Sequence, residues 1–289
     1  MGSSRPPIIE DVVQMKDSIR AFHDELSGLI GGRLVPVPPG SKAASELAIN
    51  PDFLEPLHTA YGQGIFLIES AADHLMLFAK ALDEPAQTLG IWTCARGVLE
   101  ASAFSTWLLD PTINAELRLG RSFGRRLQGL REQEKLGQST GEAKMADHAK
   151  GRQDKAEDQA TRIGITPVKP LGSTDIIKQM LGEGELYRLL SGIAHGHHWA
   201  LLEFGYGSAE KIEVEGLNVA GKQIKPMFAI YAGQSSVRAL SRAAWFLIRL
   251  YGLDLDRFGQ IMDGFFHRIG ADPKGDLFWR HGPRNEEAQ

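Results

Sequence analysis

The stretch Glu183-Gly184-Glu185-Leu186-Tyr187-Arg188-Leu189-Leu190-Ser191-Gly192-Ile193-Ala194-His195 reads as a helix. Leu186, Leu189, Leu190, Ile193 and Ala194 supply its packing residues, and Gly196 follows as a stop signal. The same periodicity runs outward from it. Ile8–Ile30 opens after Pro6-Pro7 and closes at Gly31-Gly32, with Ile9, Val12, Val13, Ile19, Phe22, Leu26 and Ile30 forming an apolar stripe. Residues 52–83 read as a long helix with a break near Gly62 or Gly64, and 85–110 as the next, ending before Pro111.

Residues 111–136 are helical and arginine-rich, and 142–162 form a polar helical arm with a sparse apolar seam, one of an antiparallel pair with the helix before it. Residues 33–42 and 166–172 are loops, and Ser173 or Thr174 caps a short helix that ends at Leu181. Phe228–Tyr251 and Leu255–Ile269 are two closing helices. Alternation between Lys211 and Lys225 is the one hairpin signal. The expected fold class is therefore all-α, a helical bundle with one small β-hairpin insertion near 211–225. One domain spans 1–289, with the polar arm at about 112–165 and a flexible tail at about 272–289. Glycines within the helices (Gly90, Gly97, Gly120, Gly124, Gly192) each cost about 1 kcal/mol relative to alanine. Their number points to close approach of helices or access for a ligand.

The chain of 289 residues is ample for a real core. A net charge of −4 excludes polyanion binding by bulk electrostatics, so any nucleic-acid contact needs a local basic patch. One cysteine, Cys94, excludes an intramolecular disulfide, and a cytoplasmic location is expected. Its mid-helix apolar setting reads as inert. The polar start, Met1 to Pro7, is no secretory signal, and no eighteen-residue apolar run marks a membrane span. Walker, dinucleotide-binding, nucleophile-elbow and His-Glu-x-x-His motifs are all missing from the sequence.

Arg188 and His195 are seven residues apart, which on a helix separates them by about 20° around the axis. They share a face two turns apart, with Ser191 between them. Arg188 carries a permanent charge on a fork that fits phosphate oxygens. Histidine exchanges protons near neutral pH. Together they are the minimum for cleaving RNA without a metal or other cofactor. The histidine deprotonates a 2′-OH, which attacks the adjacent phosphorus, and the arginine offsets charge on the phosphorane oxygens. The plainer reading pairs Arg188 with Glu183 or Glu185 and makes His195 a cap at the helix end.

Arg188, six residues, then His195 resembles the Arg-x(4–6)-His motif of HEPN domains, all-helical proteins of toxin–antitoxin, CRISPR and other defence systems. The wider string Tyr187-Arg188-Leu189-Leu190-Ser191 to His195-Gly196, with Trp199 beyond, resembles a set of bacterial helical proteins with a Tyr-x-x-x-Ser-x-x-x-His element. Arg96-Gly97-Val98-Leu99-Glu100 is similar to an Arg-x-x-x-Glu step on an earlier helix of that set. The resemblance implies an RNA- or nucleotide-binding protein with metal-independent endoribonuclease activity, Arg188 and His195 catalytic, and Ser191, Arg96, Glu100, Tyr187 and His198 supporting. It also implies a homodimer with the site at its interface, and a protein partner such as an antitoxin. Leu189 departs from the polar residue that follows the arginine in active relatives, which leaves a non-catalytic binding member open.

Arg96 and Glu100 also read as an ion pair tying two helices. Arg118, Arg121 and Arg125, at i, i+3 and i+7, form a basic stripe that is either an RNA-backbone surface or a solvated face paired with Glu116, Glu132 and Glu134. His195, His197 and His198 suggest a metal, but His195 and His197 cannot share one face of a continuous helix and no spacing completes a known site, so no metal is assigned. Two other function classes remain: a non-enzymatic module binding a protein through the arm and basic stripe, and a metal-dependent helical hydrolase.

Overall fold

The computed structural model describes residues 7–31, 37–83, 89–205, 211–214, 217–220 and 225–271. The tail expected from 272 onward lies outside them. In chain order the helices are α1 (Pro7–Ile30), α2 (Lys42–Leu47), α3 (Leu54–Ala81, entered by a 3-10 turn at Pro51–Phe53), α4 (Gly90–Leu109), α5 (Ala115–Thr140), α6 (Ala143–Arg162), α7 (Ser173–Leu181), α8 (Gly184–Ala194), α9 (His198–Ala200, continued by a π-turn at Leu201–Gly205), α10 (Pro226–Tyr251) and α11 (Leu255–Arg268). The described chain is an all-α bundle. Between α9 and α10, β1 (Lys211–Val214) and β2 (Leu217–Ala220) run antiparallel with Lys211 opposite Ala220. No described helix is long and apolar enough to cross a membrane.

Helix α4 is the hub: it packs on α3, α5, α7, α8 and α10. Its sequence explains this position, because from Val98 to Leu109 nearly every residue is buried and the buried polar ones, Ser102, Ser105 and Thr106, are small. Ser105 donates to the Gly64 carbonyl at 2.9 Å, and Thr106 to the Ser102 carbonyl at 2.7 Å, so two of the three buried hydroxyls inside the hub are satisfied, while that of Ser102 has no partner among the described residues. Helix α3 runs antiparallel to it without the expected break. A Cβ on Gly64 would lie 2.4 Å from Leu109 Cγ, and one on Gly97 would lie 2.8 Å from the His74 ring. Glycine is needed at both crossings for close approach, and neither interrupts its helix.

On the far side, α1 is buried along Met15, Ile19, Phe22, Leu26 and Leu29, and Phe22 meets Phe265 of α11 edge-on at 5.8 Å between ring centroids. Helices α5 and α6 pair along their lengths through a two-residue connection in which Gly141 takes the left-handed conformation, φ 74°. Their seam uses small side chains: Ala149, Ala156 and Ala160 of α6 are buried, and the Gly137 Cα approaches the Ala146 backbone. After α6 the chain returns across α5 as a strap. Val168 N–H donates to the Gly120 carbonyl at 2.8 Å, and a Cβ at Gly124 would sit 1.7 Å from the Val168 oxygen. The strap therefore lies on bare backbone and leads straight into α7.

Candidate functional site

Helix α8 buries Leu186, Tyr187, Leu190 and Ile193 and exposes Glu185, Arg188 and Ala194. Its end is a Schellman motif. His195 is the cap, Gly196 follows in the left-handed region at φ 70°, Gly196 N–H donates to Ile193 O at 3.0 Å, and His197 N–H donates to Gly192 O at 2.9 Å. The exposed His195 thus occupies the helix terminus. Because the helix stops there, the chain reverses direction, and the His195 and His197 rings come to 6.3 Å between centroids. The expectation that these two histidines stay apart held only for a continuous helix, and the turn at Gly196 overrides it. His198 is exposed at the start of α9. Trp199 and Ala200 fold back onto Gly192, where a Cβ would meet Ala200 Cβ at 3.1 Å and the Trp199 ring at 3.2 Å.

Tyr187, Ser191 and His195 follow one another at intervals of one turn along α8, passing from buried through half-buried to exposed. The buried end is anchored to α4. The Tyr187 hydroxyl donates to Glu100 Oε1, while Arg96 donates to the Tyr187 oxygen at 3.3 Å and to Glu100 Oε1 at 3.2 Å. The Arg96 guanidinium also lies 5.5 Å from the Tyr187 ring centroid. Burial, reinforced by the bond to Glu100, raises the Tyr187 hydroxyl above its ordinary pKa, and the bond from Arg96 and the nearby Ser173 pull the other way. Burial disfavours charge on Arg96, yet its bonds to Tyr187 and Glu100 outweigh that and the net shift is upward.

Ser173 was expected to cap α7. Gly172 holds the cap position instead, with no side-chain cap bond, and Ser173 stands near enough to Tyr187 to pull its hydroxyl pKa down. Ser173 is a site residue that sequence reasoning missed, because Tyr187 lies on another helix.

Arg188 is 65 % exposed and 3.8 Å from Glu185, which is itself 89 % exposed. Such a pair contributes little and leaves the guanidinium open to a ligand. Leu189 packs partly buried against the core. Arg188 and His195 both stand on the open side of the helix, and neither joins the Arg96–Glu100–Tyr187 cluster.

The basic stripe needs correction. Arg118 is fully buried, donating to both carboxylate oxygens of Glu46 at 2.9 and 3.1 Å and to the carbonyls of Leu108 and Asp110. It cannot meet RNA. Its role is to satisfy the orphan carbonyls at the α4 C-terminus, where a cation is favoured by the helix dipole. Arg121 does the same for Trp107 O at 2.6 Å and lies 5.0 Å from the Trp107 ring centroid. Arg125 stacks 4.0 Å from the Phe104 ring centroid. Burial lowers its pKa, opposed by the nearby Glu100. Arg121 and Arg125 are half-buried, so the stripe presents aromatic-backed guanidinium edges instead of a free basic face.

Among the described residues no three His, Cys, Asp or Glu side chains form a group able to hold a metal ion. Burial raises the Cys94 thiol above its ordinary pKa, away from nucleophilic character. On α8 an exposed guanidinium and imidazole thus stand on the open side, with a phenol–carboxylate–guanidinium cluster holding that helix from behind. Comparison of the chain with models of protein families, with curated proteins and with solved structures finds no match.

Proposed function

We propose that this is a HEPN-like protein that binds RNA or nucleotides and cleaves RNA without a metal, using His195 as base and Arg188 as phosphate ligand. The observation that supports it is the meeting of the two short segments on which the resemblance rests. Arg96 and Glu100 of one share a single hydrogen-bonded cluster with Tyr187 of the other. That cluster fixes the rotation of α8 and so directs Arg188 and His195 outward. In the reaction the imidazole of His195 takes the 2′-OH proton, the 2′ oxygen bonds to phosphorus, and the bond to the 5′ oxygen breaks. The leaving oxygen takes up a proton, and the products carry a 2′,3′-cyclic phosphate and a 5′-hydroxyl. Arg188 offsets charge on the non-bridging oxygens.

Openness favours assembly around the site. Trp199 and Leu202 are 54 % and 55 % exposed, just beyond His195, and a second copy of the chain would cover them while bringing a second Arg188–His195 pair. Defence by toxin–antitoxin pairing belongs to the same reading. Leu189, packed on the core beside Arg188, favours a second reading, RNA or nucleotide binding without cleavage. Labelled RNA incubated in EDTA with the wild type and with His195→Ala tests the first. The expected result is cleavage by the wild type alone. Equal cleavage by the variant removes His195 as the base, and binding without cleavage by either protein supports the second reading.

A further inference from the structure

The strap and α5 enclose a groove of about 320 Å³. Its floor is Gly124, one turn from Gly120, whose carbonyl holds the strap through the Val168 N–H at 2.8 Å. Leu127, Pro167 and Pro170 give it rigid apolar walls. Arg131, Lys135 and Lys169 bring three cations to its rim, against one carboxylate, Glu132. The pairs Arg131–Glu157 at 3.5 Å and Lys135–Glu132 at 2.8 Å are exposed and easily exchanged for another anion, and Lys169 has no carboxylate partner among the described residues.

We infer that this groove is a subsite for one nucleotide of single-stranded RNA, with a base against the proline walls and its phosphate on Lys169, Lys135 and Arg131. The inference rests on the proposed RNA reading and extends it. Volume suits the ligand, since small-molecule pockets begin at about 300 Å³. Apolar walls beside a cationic rim suit a nucleotide, because the base gains by leaving water against an apolar face while the phosphate needs charge. The position fits as well. Arg125, next to Gly124, lies over Phe104 of α4. Ser173, which opens α7, follows three residues after Pro170. Both chain directions out of the groove thus lead toward α4 and α7, the helices on which α8 packs.

The test uses the full chain, a fluorescein-labelled twelve-nucleotide RNA read by anisotropy across a salt series, and cleavage of an RNA dinucleotide too short to span groove and site. Lys135→Glu with Lys169→Glu is expected to weaken RNA binding at least tenfold and to flatten the salt dependence by about 0.7 per lost phosphate contact, while dinucleotide cleavage stays at the wild-type rate. Binding and salt slope unchanged in the double variant overturn the groove, as does a wild type that binds no RNA. Loss of dinucleotide cleavage in the double variant, with its melting temperature unchanged, also overturns it, since the groove would then belong to the chemistry. Failure of the catalytic reading is recorded separately, as dinucleotide cleavage that is absent from the wild type or insensitive to His195→Ala.

Discussion

Arg96 donates to the Tyr187 hydroxyl at 3.3 Å across 91 positions of sequence, and both side chains converge on Glu100. This is the tie that sets α8 against α4. Removing the hydroxyl leaves a carboxylate and a guanidinium one partner short. Tyr187→Phe is expected to cost about 1–2 kcal/mol in urea unfolding, the range for a hydrogen bond to a charged group discounted for partial exposure. A variant as stable as wild type contradicts the anchoring role.

The buried ion pair between Glu46 and Arg118 makes a second, larger prediction. The Arg118 side chain is 0 % exposed and that of Glu46 5 %, and the Tyr61 hydroxyl also donates to Glu46 at 2.9 Å. Glu46→Leu alone strands a buried cation and is expected to cost about 3–5 kcal/mol. Adding Arg118→Met should return most of that loss. Equal damage from the single and double variants in the same denaturation assay speaks against a stranded charge.

Gly124→Ala probes the strap. The added Cβ meets the Val168 oxygen 1.7 Å away, backbone that has to move. Overpacking of this kind costs about 1–3 kcal/mol. Gly129→Ala, on the same helix with open space at its Cβ, is the control and should be neutral or stabilising. Matching melting temperatures for the two variants would rule out the close contact.

Alkaline pH should destabilise the fold through Tyr251. Burial raises its hydroxyl from 10.0 to about 12, with Arg118 pulling the other way. The unfolded chain therefore loses this proton first. The tyrosine's contribution is complete below pH 10 and declines between pH 10 and 12, at about 1.4 kcal/mol per pH unit for one proton. Because burial also raises the hydroxyls of Tyr61 and Tyr187, Tyr251→Phe should remove one proton's share of the decline over that window and leave the slope at neutral pH unchanged. An identical alkaline slope in the variant counts against the assignment.

Local signals were legible in the sequence. Gly196 stops α8 where expected because a Schellman cap is written in neighbouring residues, and Pro7 and Gly31 bracket α1 for the same reason. The helix glycines foretold close approaches, and Gly97, Gly120, Gly124 and Gly192 each have one. What escaped was tertiary. Arg118 looks like part of a surface stripe until Glu46, 72 residues away on a six-residue helix, is placed beside it. Ser173 or Thr174 looks like a cap until the structure puts Gly172 there. A helical period reports which residues share a face, but it does not report what that face meets.

Single-turnover cleavage of a 5′-labelled RNA in EDTA, with the product ends identified, bears on the α8 site itself. Wild type should yield 2′,3′-cyclic phosphate ends, Arg188→Ala should slow the reaction by about two to three orders of magnitude, and His195→Ala should abolish it with the melting temperature unchanged. Undiminished cleavage by His195→Ala, or products ending in a 3′-hydroxyl, would contradict His195 as the base for 2′-OH attack.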